Sequence, residues 1–139
     1  MSTRCYVVKK LKDGNYRGIY IHNDGYIFNG VGETLYTFYN NEKSLDKLLD
    51  LGDLSYLGEN ALENVDYWND LNPFTSIDSK KCGCYFTRGE DRPAIVRGNI
   101  KDFQCENYCY LWDNDWYVYN YNDKQKNLLK DILEYHYLY

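Results

Sequence analysis

The hydrophobic period of this chain changes along its length, and that change limits the fold more than any single residue does. Runs of β-branched and aromatic residues mark strands at Cys5–Lys10 and Tyr16–Ile21, with the turn signal Asp13-Gly14-Asn15 between them. Asn23-Asp24-Gly25 is a second turn, followed by the short apolar stretch Tyr26-Ile27-Phe28. From there the spacing becomes helical: Val31, Leu35, Phe38 and Tyr39 fall on one face. Asn40-Asn41 ends that helix, Ser44 caps the next, and Leu45, Leu48 and Leu49 give it an apolar stripe before Gly52 stops it. Strands are expected again at 82–87 and 94–96, and a short helix at 100–109. The clearest hairpin is Tyr108–Trp112 with 116–121 around Asp113-Asn114-Asp115, aromatic on both arms. Leu128, Leu129, Ile132, Leu133 and His136 mark a last amphipathic helix, with Asp123 as its cap. This order predicts an α+β fold: a largely antiparallel sheet with two or three helices packed on one face. At 139 residues the chain makes a single domain, 1–139.

Charge narrows the partners. The net charge is −5 and the isoelectric point about 5.0. A sequence-independent binder of DNA or RNA carries the opposite sign, so direct nucleic-acid binding is disfavoured. No stretch approaches the ~18 consecutive apolar residues of a membrane span, and the first residues hold too short an apolar run for a signal peptide. A cytoplasmic protein is therefore expected. Five cysteines, an odd number, suit reduced thiols better than a disulfide framework. Tyrosines number 17 against 5 phenylalanines, and tyrosine suits half-buried strands and binding surfaces, where one end is apolar and the other wet.

The candidate chemistry is sparse. Cys82 and Cys84, with Cys105 and Cys109, would give four thiolates for tetrahedral zinc. The Cys-x-Cys spacing is tight for that, and small buried thiols are the simpler reading, so no metal is assigned. His22 stands two residues before Asp24 in a turn that continues to Tyr26, an arrangement that suits acid–base or hydrogen-bonding work. No nucleophile–base pair accompanies it, so no catalytic residue is assigned. Gly30-Val31-Gly32 opens the first helix, where exposed N–H groups attract phosphate or carboxylate. It is neither a Walker loop nor a dinucleotide fingerprint, and no cofactor is implied. Arg88, Glu90, Asp91 and Arg92 form a charged loop whose guanidinium forks suit phosphate, and Tyr26 and Tyr85 could stack on a base. Acidic residues are concentrated from Asp46 to Asp70, against the single base Lys47, a pattern able to imitate a phosphate backbone.

Several of these stretches resemble a family of small bacteriophage and mobile-element proteins. The resemblance runs through Met1-Ser2-Thr3-Arg4, Gly18 to Tyr26, Gly30 to Leu35, Leu51 to Gly58, Arg88-Gly89-Glu90-Asp91, and Tyr110 to Asp113 with Trp116 to Tyr119, in that order. The chain departs from the family pattern at Asn23 and Ile27, where relatives often carry Trp and Pro. It departs again at Tyr85-Phe86-Thr87, before the Arg-Gly-Glu-Asp motif. The resemblance implies a phage accessory protein acting in the host cytoplasm, of a kind that often counters host defence. Three functions follow as expectations. The first is sequestration of a nucleotide-derived immune signal by His22, Asp24, Tyr26, Gly30, Gly32, Arg88, Glu90, Asp91 and Arg92, converging on one pocket that could lie at a homo-oligomer interface. The second is acidic inhibition of a host defence complex of the CRISPR or restriction type. The third is an enzyme acting on such a signal through His22.

Overall fold

The computed structural model describes residues 3–60, 65–67, 82–84, 92–103, 107–120 and 125–138. Its centre is β1 (Cys5–Lys10), hydrogen-bonded on one side to β2 (Tyr16–Ile21) and on the other to β7 (Tyr108–Trp112). The first pairing is the expected antiparallel hairpin. The second is parallel and joins the two ends of the chain. Beyond β7 lie β8 (Trp116–Asn120) and β9 (Gln125–Leu128), both antiparallel. Beyond β2 lie β3 (Leu54–Tyr56), β5 (Cys82–Cys84) and β4 (Val65–Tyr67). The short β6 (Ile95–Arg97) also pairs with β2, antiparallel to its first half. The sheet is thus mixed, with antiparallel pairings in the majority among the described residues, as expected.

Strand alternation sorts the side chains. Val7, Ile19, Tyr110 and Val118 lie side by side in register on one face. That face carries the main core, to which α1 (Val31–Phe38), α2 (Glu42–Asp50) and α3 (Leu129–Leu138) contribute Val31, Leu35, Leu45, Leu48, Leu49, Leu129 and Leu133. All three helices therefore pack on one face, as the sequence predicts. Val8, Cys109, Leu111 and Phe103 form a smaller core on the other face, closed by the 3-10 turn Ile100–Asp102. Gly18 makes that closure possible: a Cβ there would lie 2.7 Å from the Phe103 ring.

Three local expectations need correction, and the apolar stretch after the second turn takes a definite place. Asn41 does not merely end α1. Its side chain accepts from Ser44 N at 2.9 Å, so Asn41 rather than Ser44 caps α2. Of the segment expected to be helical at 100–109, Ile100–Asp102 makes a 3-10 turn and Tyr108 and Cys109 belong to β7, because the Cys109 and Leu111 pattern is a strand's. Tyr26-Ile27-Phe28 is a loop, whose carbonyls serve α1. Residue 123, the expected cap of the last helix, lies outside the described residues, and β9 stands between it and α3. Gly52 stops α2 as expected, with φ at +78° and its N–H on Leu49 O.

Tyr39 ties the helix layer to the far strands. Its ring is buried and its hydroxyl donates to Gly58 O at 2.7 Å. Its own carbonyl accepts from Trp116 Nε1 at 3.0 Å. Tyr39→Phe leaves the Gly58 carbonyl only the weak Cys82 thiol at 3.7 Å, and the expected loss in a urea melt is about 1–3 kcal/mol, with the denaturant slope unchanged.

Candidate functional site

The second half of β2 is where the sheet changes partners. Residues Tyr16 to Gly18 pair with β6, and Ile21 pairs with Leu54 of β3. Between the two ladders Tyr20 N would have no strand partner. Asp53 fills the gap, its Oδ1 accepting from Tyr20 N at 2.9 Å. The other oxygen of the same carboxylate accepts from Arg92 Nε at 3.1 Å. Arg92 is held in place from both ends: its carbonyl accepts from Asp53 N at 2.8 Å, and the bare Cα of Gly52 leaves room for that carbonyl. Sequence position makes this attachment natural, since β6 begins just after Arg92-Pro93-Ala94 and docks on β2.

Tyr20 and His22 share a strand face, two residues apart. Tyr20 Oη lies 2.8 Å from His22 Nδ1. With the imidazole neutral and its proton on Nε2, the phenol donates to Nδ1. The Arg92 guanidinium sits over the Tyr20 ring, 5.9 Å from its centroid. On β1, Tyr6 is the register partner of Tyr20, with ring centroids 5.6 Å apart. Arg4 lies on the same side of β1 as Tyr6. The result is a polar and aromatic patch of Arg4, Tyr6, Tyr20, His22, Asp53 and Arg92 beside the Phe103 core, on the sheet face away from the helices. Among these residues are two arginines and one carboxylate. His22 is held below its ordinary value of 6.5 by burial first, then by Arg4 and Arg92. Burial pushes the Asp53 carboxyl up, against the Tyr20 N–H and Arg92, which hold it down.

The sequence-predicted residues divide into three groups. His22 and Arg92 meet at Tyr20. Asp24, Tyr26, Gly30 and Gly32 form the loop leading to α1, but not as an anion cradle. Val31 N donates to Asp24 O, Gly32 N to Tyr26 O and Glu33 N to Ile27 O, all within 2.8–3.0 Å. The helix N-terminus expected to receive phosphate is filled by the protein's own carbonyls. The two glycines are needed because a Cβ on either would press into those carbonyls. Asp24 is exposed in the left-handed region, φ 58°, and Tyr26 is half exposed. Arg88, Glu90, Asp91 and Tyr85 lie outside the described residues. The sequence reading missed Tyr20, Asp53, Tyr6 and Arg4. The alternation of β2 was enough to place Tyr20 with His22, whereas Asp53 required the tertiary pairing.

The cysteines and the acidic stretch are placed in part. Cys82 belongs to the helix-side core and Cys109 to the opposite core, several strands away, so they cannot share a zinc ion. Cys82 Sγ instead accepts from Gly58 N at 3.2 Å. Cys105 is outside the described residues. Among the described residues no group of three or more His, Cys, Asp and Glu side chains converges to hold a metal. In the acidic stretch Asp46 pairs with Lys9 and Asp50 with Arg17, at 2.8 and 2.9 Å, both carboxylates staying exposed, and Asp53 pairs with Arg92. The side chains at 63, 66 and 70 lie outside the described residues. Among the described residues, no helix is long and apolar enough to cross a membrane.

Compared with protein-family models, with curated proteins and with solved structures, the chain matches none. The geometry therefore carries the functional argument.

In the folded protein His22 titrates below 6.5, and Arg92→Ala moves it up by removing both a cation and part of its burial. The unfolded chain takes up the proton first as pH falls. The stability tied to neutral His22 is thus fully present above 6.5 and lost as pH drops towards the folded value. Histidine-selective 15N NMR, read across pH in the native protein and in the variant, measures both.

Proposed function

We propose that this chain is a phage accessory protein that counters host antiviral defence by binding, sequestering a nucleotide-derived signalling molecule without turnover in the host cytoplasm. The observation that carries the reading is the convergence of His22 and Arg92, far apart in sequence, on the two sides of Tyr20. A nucleotide offers a flat ring and an anionic phosphate. Tyr20 and Tyr6 supply aromatic surface for the ring. Arg4 and Arg92 supply charge for the phosphate, and Asp53 orients Arg92 so that little freedom is lost on binding. His22 donates to the phosphate once protonated. The resemblance to phage and mobile-element proteins supplies the biological setting.

The alternative of an acidic inhibitor draws less support, because Asp46, Asp50 and Asp53 are spent on cations of the chain's own sheet. An enzymatic role for His22 draws less support, because the group 2.8 Å from its Nδ1 is the Tyr20 phenol rather than a carboxylate.

Native mass spectrometry of the protein with cyclic and ADP-ribose-type nucleotides is the direct test. A retained, chemically unchanged nucleotide is expected. Arg92→Ala is expected to weaken binding about tenfold or more, the loss of an interaction with a charged group. Affinity is expected to rise as pH falls below 6.5, because a bound phosphate favours protonated His22. A ligand-free spectrum across the panel overturns the reading, and a converted nucleotide would replace it with an enzymatic one.

A further inference from the structure

A second recess lies at the other end of the sheet, between the loop before α1, the edge strand β9 and the outer face of α3. It encloses about 790 Å³ and is lined by Phe28, Asn127, Leu128, Asp131, Ile132, Tyr135 and His136. The volume falls within the usual 300–1,000 Å³ range of small-molecule sites. The recess is distinct from the Tyr20 patch. From β2 to β9 the sheet passes through β1, β7 and β8, a lateral separation of roughly 19 Å at the standard strand spacing. It also opens on the helix side, whereas Tyr20 and His22 face away from the helices.

The lining is of a particular kind. Phe28 and His136 stack with ring centroids 4.0 Å apart and an interplanar angle of 28°. This pair joins a loop residue to the last turns of α3, and the outer face of the stack is an aromatic surface. Tyr135, 71% exposed, is a third ring at the rim. Leu128 and Ile132 supply the aliphatic floor. Three polar side chains converge on this apolar setting: the Asn127 amide, the Asp131 carboxylate and the His136 imidazole. Among the described lining residues there is no lysine or arginine and one carboxylate, Asp131, which suits a neutral or cationic ligand better than a phosphate. A flat nitrogen heterocycle with N–H or amino donors meets all of the requirements, with rings to stack on and a carboxylate and an amide to accept and donate at its edge.

We propose that this recess binds a planar, phosphate-free nitrogen heterocycle of nucleobase or nucleoside size, stacked against the Phe28–His136 wall and hydrogen-bonded at its amino edge by Asp131 and Asn127. The site is independent of the nucleotide reading for the Tyr20 patch, and the chain contains the means to tell them apart. Its only two histidines are His22 and His136, one in each place.

The experiment is histidine-selective 15N NMR of the intact protein, with the two signals assigned by His22→Gln and His136→Gln. Adenosine is the probe, and its 5′-monophosphate the comparison. Adenosine is expected to shift the His136 signal in a saturable way while the His22 signal stays still, and Asp131→Asn, an exposed surface change, is expected to weaken that binding severalfold. The monophosphate is expected to move His136 less than adenosine does. The proposal is overturned if His136 does not respond up to the solubility of the nucleoside, if adenosine moves His22 instead, or if Asp131→Asn binds as the native protein does. Failure at His136 leaves the Tyr20 patch untouched, and a silent His22 with the phosphorylated probes leaves this recess untouched.

Discussion

Burial of β1 on both faces is the constraint that the rest of the molecule depends on. Cys5, Val7 and Val8 are fully buried, two towards the helices and one towards the Phe103 core. A strand in that position must satisfy every backbone group by pairing on both edges. One edge is met locally by β2. The other is met by β7, more than a hundred residues later, and a parallel pairing of that kind cannot come from a hairpin. The same closure brings the Tyr110 hydroxyl to Gly25 O, 2.6 Å away, so the turn between β2 and α1 is fixed by a strand from the far end of the chain.

The polar patch is a consequence of how β2 divides its outer edge. A long edge strand would have used Tyr20 N in a ladder. Because β6 and β3 each cover only part of β2, a side-chain acceptor has to take the place of a strand at Tyr20, and Asp53 is delivered there by the Gly52 stop of α2. An aspartate half-buried beside a sheet needs a cation, and Arg92 is the residue that enters β6. The charge and the rings gathered there thus have a structural origin as well as a use. By contrast, the Lys9–Asp46 and Arg17–Asp50 pairs hold α2 over the hairpin with partly exposed carboxylates, and such pairs contribute little to stability individually.

The Tyr20 patch and the recess beside α3 sit on opposite faces of one sheet. Among the described residues, two arginines belong to the first and a single carboxylate lines the second. The tyrosine-rich composition serves both, since most of the strand tyrosines lie at intermediate burial with one edge towards solvent.

By itself the sequence determined the class of the fold, the β1–β2 and β7–β8 hairpins, the three helices and their common face, because these depend on local period, turn residues and apolar stripes. It also marked His22 and Arg92, since a histidine in a turn and an arginine-rich loop stand out in any context. It could not determine that the sheet is mixed, that Cys82 and Cys109 occupy different cores, or that the amides at Gly30 to Gly32 are answered by carbonyls from Asp24, Tyr26 and Ile27. Those outcomes rest on pairings between residues distant in the chain or on the path of an irregular loop, which no residue period encodes. The meeting of Arg92, Asp53 and Tyr20 belongs to the same class. Only the tertiary structure decided it, because a hydrogen-bonding gap on β2 exists only after β3 and β6 have both docked.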